Sequence, residues 1–417
     1  MVSLRFGRKA ITLEEAQRLV LQEARLLKME EVPLTEAFGR RLARDITAHE
    51  PVPHFRRSGV DGYAVRTEDT KDAAPDASVR LEVTEMIPCG SVPTKEIGPG
   101  QAARIMTGAV VPEGADAVIM LEMTDRAEAA ADGTVGIRKV MTAGENITPV
   151  GQEVAPGAPL LERGCYIGPG EATILATFGF NNVTVFQQPK VAIFSTGSEL
   201  LPVESPLAPG KIRGSNGYML ACQVREAGGL PQMMPILPDE AKYVEEQILA
   251  ALEWADIVIT TGGVSVGDKD VLVDLFERWN GTLLFNKVSM RPGSPTSAGM
   301  WHGKPLFALS GNPGASYVGF ELLVRPFMRA SLGVNRPLLS EAEAFLDVDY
   351  SKGSAYPRYV RGTSRIEGGM VKVRPTGLDK SSIMVSIKDA DCLICIPSGG
   401  MGAARGDKVR IMQLSEK

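Results

Sequence analysis

Histidine and cysteine are scarce in this chain, 3 and 5 among 417 residues. Cys89, Cys165, Cys222, Cys392 and Cys395 are odd in number and scattered, which excludes a disulfide framework. Cys392 and Cys395 have CxxC spacing, but inside an apolar run and with no second CxxC, so a zinc site is not expected. If that run is a strand, the odd separation sends the two thiols to opposite faces, both in the core. No charge-free run of about 18 apolar residues is present, nor a signal-peptide pattern, so no membrane partner is expected and the cytoplasm is the expected location. The net charge of −5 disfavours nucleic acid as a partner. GxxxxGK[ST] and GxGxxG are both missing, which argues against a P-loop kinase and a Rossmann dehydrogenase.

A hydrophobic share of 44% and a charged share of 23% are those of a soluble globular protein, long enough for two to four domains. The stretch from Ala255 to Asp270 reads as a buried strand, a double glycine, then a loop carrying Asp268 and Asp270 into a helix through Leu272, Leu275 and Phe276. Gly262 and Gly263 remove Cβ where the strand ends, so a ligand can approach the backbone. Ligands of open α/β sheets sit beyond the carboxyl ends of the strands. The bland alternative is an ordinary strand–loop–helix connection with a solvated aspartate pair.

Thr12 and Glu15 have capping-box spacing, and Leu13, Ala16, Leu19, Val20 and Leu27 predict a helix to about Met29, followed by strand, short helix and strand. Proline-rich residues 51–55 mark a boundary, and the segment to about Ala143 reads as a β module with many Gly and Pro turns. A helix near Pro169–Phe178 follows. From Pro189 strands and helices alternate: a strand at Val191–Ser195, a helix from Ser215-Asn216 to about Ala227, a strand at Met233–Leu237, and a helix capped by Asp239 and bearing Val244, Ile248, Ala251, Leu252 and Ala255. Further strands are predicted at Leu283–Val288 and Leu306–Leu309, and a last helix opens at Ser310-Gly311-Asn312-Pro313-Gly314 and runs to about Ser331. The fold class expected is α/β multidomain. An N-terminal helical/linker domain (1–48 and 145–175) carries an inserted β-rich module (49–144). A doubly wound α/β domain (176–332) follows, then a C-terminal β-barrel-like or sandwich domain (333–417). The strand ends collect Thr196, Glu199, Asp239, the double glycine, Asp268, Asp270, Lys287, Arg291 and the SGNPG helix start. That set points to a phosphate-bearing ligand with a divalent ion.

SGVDGYA, RIMTGAVVPEGADAVIMLE, STGSEL, TTGGVSVGDKD, RPGSP and LSGNPG occur in this order. With them the chain resembles the molybdopterin molybdenumtransferase family (MoeA, and the E-domain of gephyrin), and the central domain the molybdopterin-binding type. The resemblance implies magnesium-dependent insertion of molybdate into adenylated molybdopterin with release of AMP. It further implies a homodimer whose site is shared between subunits, with a molybdopterin adenylyltransferase and molybdoenzymes as partners. By position it implies catalytic roles for Asp61 and Thr107 on the β module and for Glu199, Asp239, Asp270 and Lys287, with Asp239 and Asp270 holding Mg²⁺. Substrate-binding positions would be Thr196, Gly262, Gly263, Ser265, Asp268, Arg291, Ser294, Pro295, Gly311, Asn312 and Pro313, with Arg361, Ser381 and Ser382 from the C-terminal domain. Lys287, Arg291 and the helix start at Asn312 would hold the anions.

Three motifs depart from the family pattern. TGDE is TGSE here, placing Ser198 for a carboxylate. K-P-G-K-P is Arg291-Pro292-Gly293-Ser294-Pro295, one lysine fewer. NPVS is Asn312-Pro313-Gly314-Ala315, one hydroxyl fewer unless Ser316 supplies it. Alternatives are therefore a diverged paralogue that prefers tungstate, or a non-catalytic molybdopterin carrier or scaffold. A molybdopterin adenylyltransferase would leave residues 1–175 and 333–417 unexplained.

Overall fold

The computed structural model describes residues 9–125, 133–238, 240–263 and 281–414. The chain divides into two compact units. One holds the residues up to Arg44, Arg163–Thr173 and those from Phe180 on; the other holds Asp45–Glu162 and Ile174–Gly179.

In the first unit Leu13–Glu23 is helical, and the Thr12 hydroxyl caps it by accepting the Glu15 N–H at 3.2 Å. The helix stops short of the predicted Met29. Ala24 is extended, the Leu27 N–H is taken by the Ser331 carbonyl, and Met29–Pro33 instead pairs antiparallel with Asn182–Phe186. Strand pairing overrides helix propensity there.

The six-stranded sheet runs Leu230–Met233, Lys190–Ser195, Ile257–Thr261, Lys304–Leu309, Ser297–Trp301, Thr282–Phe285. The first four strands are parallel and the last two antiparallel. Side chains alternate between two buried faces. Ala192, Phe194, Val258, Leu306 and Ala308 pack with Val244, Ile248, Ala251 and Leu252 of the Ala241–Trp254 helix. Val191, Ile193, Ile257, Ile259, Phe307 and Leu309 pack with Leu220 and Val224 of the Asn216–Glu226 helix and with Leu13, Ala16 and Val20. The strand predicted at Met233–Leu237 lies earlier, at Leu230–Met233, because pairing to Lys190 begins directly after the Gly228 turn. The strand predicted at Leu283–Val288 ends at Phe285. Ser297–Trp301 was not predicted as a strand: its small residues have low β propensity, and its partner Lys304–Leu309 induces it through a tight turn at His302-Gly303. The helix expected through Leu272, Leu275 and Phe276 lies outside the described residues.

The last helix is interrupted. Pro313–Gly319 and Arg325–Ser331 are α-helical, and Phe320–Val324 between them is a π turn. Pro326 has no N–H to offer the carbonyl four residues back, that of Leu322. The Gln17 side-chain amide, from the N-terminal helix, donates to the Leu322 carbonyl at 3.0 Å in a buried position. The same turn carries a buried Glu321–Arg325 pair at 2.6 Å.

The C-terminal strands Glu341–Leu346, Met370–Pro375, Arg358–Glu367, Cys392–Ile396 and Lys408–Gln413 close into a barrel. Cys392 faces the barrel interior with Ile394 and Val360, whereas Cys395 faces the α/β core with Tyr359 and Leu393, as the odd spacing requires. Burial pushes the Cys392 thiol up and the Cys395 thiol up to about 11, so neither is a nucleophile at neutral pH.

The second unit is built on a five-stranded sheet ordered Ala117–Met120, Gly62–Val65, Gln101–Ile105, Val79–Ile87, Thr134–Ile137. Among the described residues no helix is long and apolar enough to cross a membrane.

Gln17→Met keeps the volume and removes the donor to the Leu322 carbonyl. We expect it to cost about 1–3 kcal/mol, the penalty for a buried acceptor left without a partner, in a urea unfolding titration. An unchanged midpoint would mean that carbonyl is satisfied some other way.

Candidate functional site

Three parallel strands end side by side, at Ser195-Thr196, Thr261-Gly262-Gly263 and Leu309-Ser310-Gly311. Gly262 has φ +98°, and a Cβ there would stand 2.4 Å from the Thr196 carbonyl oxygen. Only glycine allows these strand ends to converge. The Thr261 hydroxyl donates to the Ser310 carbonyl at 3.0 Å and accepts from the Asn216 amide at 2.9 Å; that amide also reaches the Gly311 carbonyl at 2.9 Å. Asn216 and Thr261, which the motifs did not single out as site residues, thus tie the ends together. Thr196 is buried, and among the described residues its hydroxyl has no hydrogen-bond partner. Glu199 follows, exposed, with its carboxylate folded back against Gly197. Ser316 is fully buried with its hydroxyl 3.4 Å from that of Thr261, so it does not replace at the surface the hydroxyl missing at Ala315. Asp239, Ser265, Asp268 and Asp270 lie outside the described residues.

A cleft of about 570 Å³ opens beside the barrel, lined by Arg291, Arg358, Asp379, Lys380, Ser381 and Ser382 among others. The Arg291 backbone is fixed to the barrel strand: its N–H donates to the Pro357 carbonyl at 2.9 Å and its carbonyl accepts from the Tyr359 N–H at 2.7 Å. Ser294, three residues on, is turned into the fold. Its hydroxyl donates to the Val288 carbonyl at 2.8 Å, and its own carbonyl accepts the Val288 N–H. It is not among the residues lining the cleft, and neither is the half-buried Pro295. Lys287 is half-buried with its ammonium 6.0 Å from the centre of the Tyr356 ring.

Arg361 lies beneath the cleft, only 3% exposed. Its guanidinium donates to Ser386 Oγ at 3.1 Å and to the carbonyls of Lys380 at 3.2 Å and Ile383 at 3.5 Å. A Cβ on Gly314 would stand 2.3 Å from its Nη1, so the glycine at this departure from the family pattern makes room for the guanidinium. The Gly314 N–H is itself taken by the Ser381 carbonyl at 2.8 Å. Pro313 has no N–H, and the Asn312 N–H reaches Ser310 Oγ at 3.3 Å, so the helix start offers an anion fewer donors than the sequence reading assigned to it. Burial pulls the Arg361 pKa below the ordinary arginine value while Asp379 pushes it back up, and the group remains charged at neutral pH. Asp379 accepts from the Tyr350 hydroxyl and from Arg358 at 3.2 Å, with Lys352 at 3.9 Å. Its charge is therefore matched by its own neighbours.

In the second unit the antiparallel register Gly62↔Ile105 brings Asp61 against the turn after Ile105. There the Asp61 carboxylate accepts the Thr107 N–H at 2.6 Å and its hydroxyl at 2.8 Å. These two bonds, the backbone one first, hold the carboxyl below the ordinary aspartate range although it is exposed.

Glycine-lined strand ends and a cleft carrying cations and hydroxyls mark a multidomain α/β protein whose chemistry suits an anionic ligand. Comparison with known proteins narrows that class. Residues 11–179 match the family model for the MoeA N-terminal region (domains I and II), 192–330 that for a "probable molybdopterin binding domain", and 343–414 that for the MoeA C-terminal region (domain IV). The chain is 42% identical over 410 residues, 98% of its length and 95% of the relative's, to the molybdopterin molybdenumtransferase of Bacillus subtilis strain 168. Identity to that of Staphylococcus epidermidis RP62A is 39%, over 97% of this chain and 96% of the relative. The crystal structure of the molybdopterin biosynthesis MoeA protein from Pyrococcus horikoshii OT3 superposes with a TM-score of 0.83 at 31% identity, over 97% of this chain and all of that one. The chain belongs to the molybdopterin molybdenumtransferase (MoeA) family, enzymes of molybdenum cofactor biosynthesis.

Thr107→Val removes the hydroxyl donor, and we expect the Asp61 carboxyl titration, followed by carboxylate NMR, to move up toward the ordinary aspartate value. Because its folded pKa is depressed, the stabilisation from this pair is present above the unfolded aspartate pKa and lost as pH falls through the folded one. An identical titration in the variant would rule out the hydroxyl as a cause of the shift.

Proposed function

We propose that this chain inserts molybdate into adenylated molybdopterin and releases AMP. The observation that carries the reading is the cleft: Arg291 and Lys380 line it together with Ser381 and Ser382, and the buried charge of Arg361 lies beneath it. Cations and hydroxyls that converge on one volume suit a tetrahedral oxyanion. The strand ends at Thr196, Gly262 and Gly311 offer backbone for the adenylated pterin to lie against, with Lys287 as a cation toward its phosphates. In a homodimer, Asp61 and Thr107 of one subunit would serve the α/β cleft of the other, their hydrogen bonds fixing the carboxylate for contact with substrate.

Mg²⁺ is assigned to Asp239 and Asp270, both outside the described residues; among the described ones no cluster of three acidic, His or Cys ligands occurs. When bound, the ion polarises the phosphoanhydride for cleavage. The cytoplasm is the proposed location, with a molybdopterin adenylyltransferase supplying substrate and molybdoenzymes receiving product.

Ser294, turned into the fold, leaves position 294 without the cation of the family pattern. That favours a second reading, a tungstate-preferring transferase or a carrier of the pterin.

The test is AMP release from purified protein given adenylated molybdopterin and Mg²⁺, with molybdate, with tungstate and with neither. We expect molybdate-dependent release, and a loss of roughly a hundredfold or more in Asp61→Asn, the scale of a misplaced reacting group. Release only with tungstate would favour the oxyanion-shifted enzyme, and tight binding without release the carrier.

A further inference from the structure

We propose that Lys380 supplies the second oxyanion-binding cation of the cleft, to which position 294 contributes none. The proposal rests on the reading of the cleft as the molybdate site. Four observations carry it. The Ser294 side chain is committed to the Val288 carbonyl inside the fold, so position 294 contributes nothing to the cleft. Lys380 lines the cleft with Arg291 and is exposed, and among the described residues neither has an acidic side-chain partner. Arg358, the other cation of the lining, is paired with Asp379, and Lys352 also faces that carboxylate. The backbone that carries Lys380 is held at two successive carbonyls. Its carbonyl accepts from Arg361 at 3.2 Å, and the next carbonyl, that of Ser381, accepts from the Gly314 N–H at 2.8 Å.

The chemistry agrees with the placement. A doubly charged tetrahedral oxyanion binds between cations that approach from different sides. Arg291 comes from the α/β domain and Lys380 from the barrel loop. Lysine's compact ammonium places no planar constraint on the oxygens it meets, unlike a second guanidinium. With Lys380 the cleft has a cation from each of the two domains that line it.

The experiment is calorimetric binding of molybdate alone to the full-length protein, its Lys380→Met and Lys380→Arg variants, and Arg291→Met. Lys380 is exposed, so its variants are expected to unfold at the wild-type temperature. If the proposal holds, Lys380→Met binds molybdate roughly tenfold more weakly, the loss of one charge-assisted contact. Its affinity also depends less steeply on ionic strength, and Lys380→Arg retains most of the wild-type affinity. Wild-type affinity in Lys380→Met alongside weakened binding in Arg291→Met would overturn the role of Lys380 and leave the cleft reading standing. Equal affinity in all four proteins, or no binding in any, would overturn the cleft reading and this proposal with it.

Discussion

The buried guanidinium of Arg361 is the constraint on which the cleft depends. It sits under the barrel loop, and among the described residues no carboxylate is bonded to it; its Nε and Nη2 donate to a hydroxyl and two carbonyls of residues 380–386. Those neutral acceptors hydrogen-bond the cation without cancelling its charge, so its positive field extends into the space above. The same contacts fix the backbone of Lys380 and Ser381 beside the cleft. Gly314 completes the arrangement: a side chain at that position would occupy the space of the guanidinium, and its N–H anchors the Ser381 carbonyl. A single buried side chain therefore holds the loop that lines the cleft.

Around that point the structure separates two tasks. The sheet contributes a rigid edge of backbone, where Gly262 closes on Thr196 and Asn216 ties Thr261 to Gly311. The barrel contributes side chains that carry charge. Both are anchored in one hydrophobic cluster, which joins strand residues such as Ile257 and Phe307 to barrel residues such as Tyr359 and Leu393. For the proposed function, strand ends and a loop already fixed in this way would leave little ordering to be done at binding.

Much of this was legible in the sequence, and the failures have physical causes. The buried strand at Ile257–Thr261, the double glycine and the stripe of the Ala241–Trp254 helix could be read because apolar periodicity and glycine carry local signals. The pairing of Asp61 with Thr107 could not be read from spacing, since it depends on the antiparallel register of two strands separated by some forty residues; the family resemblance alone named both. Ser297–Trp301 was missed because neighbours, not propensity, make it a strand. Ser294 was assigned to substrate from its motif, yet the chain direction there turns its hydroxyl to the Val288 carbonyl, which only coordinates reveal. Arg361 was named by the family resemblance, as a C-terminal-domain position, and its companions Gly314 and Ser386 emerged only once the barrel was closed against the helix start.

The most direct test of the cleft as the oxyanion site is the anomalous difference density of a crystal soaked in molybdate. One strong peak is expected in the cleft between Arg291 and Ser381, within contact distance of the Lys380 ammonium. A peak at the strand ends near Gly262, with none in the cleft, would contradict it.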